Sequence, residues 1–254
     1  MRIALFQTKL AWENPEKNRN FIEEYVVNES QEFDLLVLPE MFTSGFTMNP
    51  QNVAETMTEQ TIQWLKSLAK TKNCAITGSL VIEEDGKYFN RMVFVFPTGE
   101  MEYYDKRHLF TLAGENQKYQ AGKQKKIVQY LDYKFCLQVC YDLRFPVFAR
   151  NVEDYDVLLY VANWPKPRIS AWDALLKARA IENMCYTIGV NRIGLDANEL
   201  EYVGHSQVVD YLGNIAVDCE SEQGIFIYEL DKTAMMTTRQ KLNFLNDRDA
   251  FELR

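Results

Sequence analysis

The stretch KFCLQVCYDLRFP, Lys134–Pro146, decides the fold. Cys136 and Cys140 stand four residues apart, a spacing that on a helix would offer two thiols to a metal ion. The run KFCLQVC reads instead as a strand, in which residues four apart share a face but lie about 13 Å from each other. A metal site is therefore not expected. The apolar run stops at Cys140, where Tyr141-Asp142-Leu143-Arg144 follows, and Arg144–Asn151 reads as a short helix.

Other runs are apolar without alternation: IALFQ (3–7), DLLVLPE (34–40) and DVLLYVANW (156–164). Such strands are covered on both faces. Helical patterns lie between them. Asn14-Pro15 supplies an N-cap and a first-turn proline, after which Phe21, Ile22, Tyr25 and Val26 recur on one face. Thr56 and Glu59 have the capping-box spacing ahead of Ile62, Leu65 and Leu68. A further helix is expected over Ser170–Met184, with Trp172, Leu175, Leu176 and Ile181 as its apolar face. The segment from Ala75 to Lys106 reads as a meander turning at Asp85-Gly86 and Thr98-Gly99, and another hairpin turns at Gly213-Asn214. The pattern is strand–helix–strand–helix, then a meander, then the same again. It predicts two related structural units inside one mixed α/β domain spanning residues 1–254.

The chain has 254 residues, 47% of them apolar, and a net charge of −8. The acidity argues against nucleic acid, which demands a basic face. No apolar run is long enough for a transmembrane helix, and the N-terminus reads as a first strand, not a signal peptide. Five cysteines, an odd number without a CxxC pair, point to a reducing, cytoplasmic setting. No phosphate-binding loop, dinucleotide fingerprint or metal cluster appears, so no cofactor is expected.

Three positions invite chemistry. Cys140 ends its strand, and strand ends are where sites assemble in open α/β folds; the alternative is a small core hydrophobe. Glu40 follows LLVLP and precedes MFTSGF, so Met41, Phe42 and Phe46 would partly desolvate it, and a desolvated carboxyl holds a proton more readily. Lys106, in YYDKRHLF, belongs either to a site or to a surface charge cluster. His108 is the natural base for a Cys/His pair, whereas His205, in VGHSQV, reads as a strand residue.

Taken together, LLVLPEMFTSGF around Glu40, YYDKRHLF around Lys106 and LQVCYDLRFP around Cys140 resemble the nitrilase superfamily of carbon–nitrogen hydrolases. GENQKYQAG around Glu115, VANWP at 161–165 and KARAIEN around Arg179 are similar too. The likeness covers essentially the whole chain. Within the superfamily, YDKRHLF, CYDLRFPVF and NRIGLDANELEYVGHSQVVD are similar to the ω-amidase, or 2-oxoglutaramate amidase, group.

The resemblance implies a four-layer α-β-β-α sandwich that assembles as a homodimer. It implies hydrolysis of the terminal amide of 2-oxoglutaramate or 2-oxosuccinamate. In this pattern Glu40 is the general base, Cys140 the nucleophile, and Lys106 with the Tyr141 N–H the oxyanion donors. Glu115 orients the site and holds Lys106, whose charge favours the thiolate. Arg144, one turn beyond Cys140, binds a substrate carboxylate or forms a structural pair, for example with Asp142. Trp164 and Phe42 would supply apolar walls, and Arg179 a buried structural ion pair. The rival readings are a Cys/His peptidase using His108 or His205, another superfamily member such as a nitrilase or carbamoylase, and a binding protein with a dead site.

Overall fold

The computed structural model describes residues 1–253 and contains two six-stranded sheets. In the first, β1 (Arg2–Gln7), β2 (Leu35–Val37) and β3 (Ala75–Glu84) run parallel. β4 (Lys87–Val95) and β5 (Met101–Asp105) continue it antiparallel. In the second, β6 (Lys126–Tyr130) pairs antiparallel with β7 (Tyr133–Val139), which runs parallel to β8 (Val157–Ala162) and β9 (Tyr186–Asn191). A small ribbon of β10 (Ile193–Leu195) and β11 (Glu201–Val203) precedes β12 (Gln207–Val209) and β13 (Ile215–Asp218), which complete that sheet antiparallel. β14 (Gly224–Glu229) returns to close the first sheet beside β1.

The two sheets have one topology. Each has three parallel strands at its centre, two antiparallel strands on one flank and one on the other. The related units expected from the sequence are thus visible as matching strand orders. Glu40 lies just beyond β2 and Cys140 just beyond β7, at the carboxyl ends of parallel strands, one from each sheet.

The unalternated runs are explained by two cores. Along β1, Ile3 and Leu5 enter a core shared with Phe135, Leu137 and Val139 of the other sheet. Ala4 and Phe6 enter a second core, under α1 (Pro15–Asn28) and α2 (Gln60–Lys72). Both faces are therefore buried, each large side chain contributing about 1.5–3 kcal/mol. α5 (Ile169–Asn183) covers the second sheet, giving layers in the order helix, sheet, sheet, helix. α6 (Lys232–Leu242) follows β14. No helix among the described residues is long and apolar enough to cross a membrane.

Some local expectations change. Ile181 is half exposed, because nine residues at about 100° each put it opposite Trp172. The buried face of α5 runs through Trp172, Leu176, Arg179, Ala180 and Asn183. Thr56 does not cap α2. Its N–H donates to Glu59 at 2.9 Å, while Glu55 reaches into the first turn and accepts the Thr61 N–H at 2.6 Å. The turn after Cys140 begins at Cys140 itself as a 3-10 turn to Arg144, followed by α4 (Pro146–Ala149). His205 is not in a strand. It lies between β11 and β12 at φ +59°, its ring 3.2 Å from Asp173.

Candidate active site

Glu40 is carried by the loop leaving β2. Met41 adopts φ +45° and its N–H donates to Ser79 Oγ at 2.9 Å, which ties the loop to β3. The Glu40 side chain is fully buried. Its Oε1 accepts from Lys106 Nζ at 2.9 Å and from Asn90 Nδ2 at 2.8 Å. Its Oε2 accepts the Asn163 backbone N–H at 2.8 Å. The shell is thus polar, where the sequence led us to expect Met41, Phe42 and Phe46. Phe42 is corrected outright: it packs in the helix-side core, 6.2 Å ring to ring from Trp64. Gly78 makes the room, since a Cβ there would stand 3.0 Å from Phe42 Cδ1. Phe46 takes the wall position instead.

Lys106 follows β5 directly. Its N–H donates to the Asn90 carbonyl at 3.0 Å, and its carbonyl accepts the Gly122 N–H at 2.9 Å. Only glycine fits at 122, because a Cβ would lie 2.0 Å from the Asp105 carbonyl oxygen. Lys106 Nζ reaches both oxygens of Glu115, at 3.1 and 3.0 Å. Glu115 opens α3 (Glu115–Lys118) and is buried as well. Burial opposes the ammonium, but Glu115 and Glu40 outweigh it, and the Lys106 pKa moves upward. Burial also raises Glu115, with Lys106 pulling the other way. One ammonium between two carboxylates leaves the cluster one negative charge in excess, and that excess is what the thiol meets.

Cys140 occupies the turn from β7 into the 3-10 segment, at φ +45°. A non-glycine residue in that region is strained, and Asp142 holds it there. The buried Asp142 carboxylate accepts from Val139 N at 3.0 Å, Tyr104 Oη at 2.8 Å and His108 N at 2.9 Å. His108 Nδ1 lies 2.7 Å from the same carboxylate, and its ring stacks on Phe145 at 3.8 Å. Both Asp142 oxygens are therefore occupied, and Asp142 does not pair with Arg144. Burial and then the Glu40 charge push the Cys140 thiol well above its ordinary pKa, with Lys106 only partly offsetting them. A standing thiolate, which the lysine alone would favour, is not the resting state. The arrangement suits proton transfer to Glu40 as the sulfur attacks. The Tyr141 N–H lies in the first turn of the 3-10 segment, where no intrahelical acceptor exists.

A cavity of about 360 Å³ opens above Cys140. Asn163 and Tyr141 line it near the sulfur, and Phe46, Phe110, Trp164 and Tyr202 form its apolar walls. The Arg144 guanidinium stacks over Trp164, 4.9 Å from the ring centre. It has no ion pair or hydrogen bond among the described residues. Arg179 is the structural arginine, bonded to Glu182 at 3.0 Å and to the Leu143 carbonyl at 2.6 Å. Among the described residues no three His, Cys, Asp or Glu side chains gather to hold a metal ion.

Four functional candidates went unseen in the sequence: Asn90, Asn163, Asp142 as a positioning group, and Arg168 in the cavity wall. Asn163 lies inside the VANWP segment. Asn90 interrupts an apolar strand, and a buried amide there needs partners; that was the available signal.

A buried carboxylate–lysine–carboxylate cluster beside a strained cysteine, at the strand ends of an α-β-β-α sandwich, defines a class, and the chain belongs to the carbon–nitrogen hydrolase family, which residues 2–240 match. It is 41% identical to a Yersinia enterocolitica protein named omega-amidase YafV, over all of this chain and 98% of that one. It is 31% identical to a Bacillus subtilis 2-oxoglutaramate amidase, over 96% of each chain. Its fold superposes with a TM-score of 0.98 on a CN-hydrolase superfamily protein of Xanthomonas campestris, XC1258, at 39% identity over 100% of this chain and 99% of that one. That crystal structure carries an arsenic adduct in its active site.

Proposed function

We propose that this enzyme hydrolyses the terminal amide of small 2-oxo dicarboxylic acid monoamides, 2-oxoglutaramate and 2-oxosuccinamate, to the acid and ammonia. The observation that carries the substrate class is Arg144, a guanidinium with no ion pair or hydrogen bond among the described residues, stacked on Trp164 in the cavity that Cys140 opens into. Unpaired arginines in such settings take carboxylates as bidentate ligands. The names of the Yersinia and Bacillus relatives support the same class.

In this reading the Cys140 sulfur attacks the amide carbon while its proton passes to Glu40. The carbonyl oxygen becomes an oxyanion held by Lys106 Nζ and the Tyr141 N–H. Glu40 then hands the proton to the departing nitrogen, the C–N bond breaks, and ammonia leaves a thioester on Cys140. Water enters, Glu40 takes one of its protons, and hydroxide adds to the thioester carbon. Collapse releases the acid, and the sulfur recovers its proton from Glu40. Glu115 keeps Lys106 charged and placed. Asp142 and His108 position the cysteine turn, so the histidine is not the base.

Catalysis in the reducing cytoplasm is part of the proposal, supported by five cysteines that are all free and buried. So is a homodimer, which sedimentation of the full chain tests. The decisive experiment is ammonia release from 2-oxoglutaramate, 2-oxosuccinamate, glutamine, asparagine and succinamate. Preference for the 2-oxo acid amides is expected; equal rates on simple monoamides would sink the assignment.

A further inference from the structure

We infer that Arg168 is a specificity-determining residue which, together with Arg144, selects a 2-oxo acid and rejects a 2-amino acid at the end of the substrate remote from Cys140; the inference rests on the functional reading above. Arg168 ends the 3-10 turn Lys166–Arg168 and directly precedes α5. Its carbonyl is fixed by Trp164 Nε1 at 2.7 Å. Its guanidinium stacks over Phe110, 5.2 Å from the ring centre, and that ring meets Tyr141 edge-on at 5.0 Å. The two arginines of the cavity therefore stand on different aromatic walls, Arg144 on Trp164 and Arg168 on Phe110. Among the described residues neither has a carboxylate partner.

The acid in the cavity wall is Asp196. Its oxygens are spent on the N–H groups of Asn198 and Leu200, at 2.8 and 3.0 Å, and on the Tyr202 hydroxyl at 3.0 Å. Lys166, two residues before Arg168, is committed to Glu201 at 2.7 Å. What the two arginines turn to the ligand is a pair of donor forks, neither paired with a carboxylate among the described residues. A 2-oxo acid answers with acceptors alone: a carboxylate and, on the adjacent carbon, a carbonyl oxygen. A 2-amino acid puts an ammonium at that carbon, so donors meet donors and like charges meet. Rejection by such a juxtaposition is how a site discriminates between two ligands of nearly equal size. Arg144 alone would hold the carboxylate of either one.

The test compares wild type, Arg168→Gln and Arg168→Lys on 2-oxoglutaramate, glutamine and glutaramate, the last of which bears neither group at the second carbon. Arg168→Gln should lower kcat/KM on 2-oxoglutaramate by about 10- to 100-fold, the scale of a lost polar contact with substrate. It should hold or raise the value on glutamine and change glutaramate by no more than about threefold. Arg168→Lys, which keeps the charge without the fork, should fall between. Competitive inhibition by 2-oxoglutarate and by glutarate is measured alongside, since it reports the remote end without turnover. Arg168→Gln should weaken 2-oxoglutarate about tenfold more than glutarate. A wild type that does not prefer 2-oxoglutaramate overturns the functional reading. An inhibition ratio unchanged in Arg168→Gln, or equal losses on all three amides, overturns the role of Arg168.

Discussion

The Lys106 ammonium and the Glu40 carboxylate meet at 2.9 Å, and neither side chain reaches solvent. They stand 66 positions apart in the sequence. With Glu115 on the same ammonium, Lys106 is the one cation of a buried unit, and removing it would leave two buried carboxylates without a counter-charge.

Lys106→Met is therefore expected to cost about 3–5 kcal/mol of stability, because it leaves Glu40 and Glu115 facing each other in the interior. It should also lower turnover by roughly 100- to 1000-fold through the lost oxyanion donor. Adding Glu115→Gln should restore much of the stability and none of the turnover. Urea unfolding and ammonia release measure the two separately; recovery of both together would show that Lys106 is only a structural cation.

The pH behaviour of Cys140 follows from its neighbours. Burial and the Glu40 charge raise the thiol pKa, so alkylation by iodoacetamide should rise only above the ordinary thiol range. Glu40→Gln removes a negative charge that disfavours the thiolate, and the alkylation profile should move to lower pH although turnover is lost. The same shift sets a stability trend. The unfolded chain releases this proton first, so its contribution is intact below the ordinary thiol pKa and declines as pH rises toward the folded value. Mass-spectrometric labelling across pH tests the first point, and an upward shift in Glu40→Gln would contradict it.

Asp142→Asn tests the positioning of the nucleophile. An amide offers one oxygen where the carboxylate accepts from Val139, Tyr104 and His108, and it turns an NH2 group toward buried donors. Each unsatisfied buried group costs about 1–3 kcal/mol. A fall in melting temperature of several degrees is expected, about 2–4 °C per kcal/mol at this size. kcat should drop more than KM rises. Unchanged kcat in the folded variant would mean that Cys140 holds its φ without Asp142.

His108→Ala separates the hydrolase mechanism from a Cys/His one. The ring lies against Asp142 and Phe145, so its loss should cost about 1–2 kcal/mol for one partly buried hydrogen bond and its packing. Turnover should fall by less than about tenfold, far short of the loss that removing a general base produces. Loss of acylation in a well-folded variant would return the histidine to the mechanism.

Much of this molecule was legible in one dimension. The unalternated runs identify strands covered on both faces, as β1 illustrates with Ile3 and Leu5 on one core and Ala4 and Phe6 on the other. The strand ends at Glu40 and Cys140 are marked by Pro39 and by the charges after Cys140. Periodicity failed at Ile181, where a residue counted as apolar falls on the outer face, and at Phe42, whose direction depends on Gly78 in a neighbouring strand.

What the sequence by itself determined, then, is which segments are strands and helices, where each run ends, and which segments resemble one family's motifs, because these depend on neighbours along the chain. What only the tertiary structure decided is the company each group keeps. Glu40 receives Asn90 and Asn163 in place of an apolar shell, and Asp142 is taken by the cysteine turn, which leaves Arg144 without an ion pair among the described residues. The physical reason is distance in space: a buried charge is set by whatever lies within about 4–6 Å, and at this site those groups arrive from both sheets.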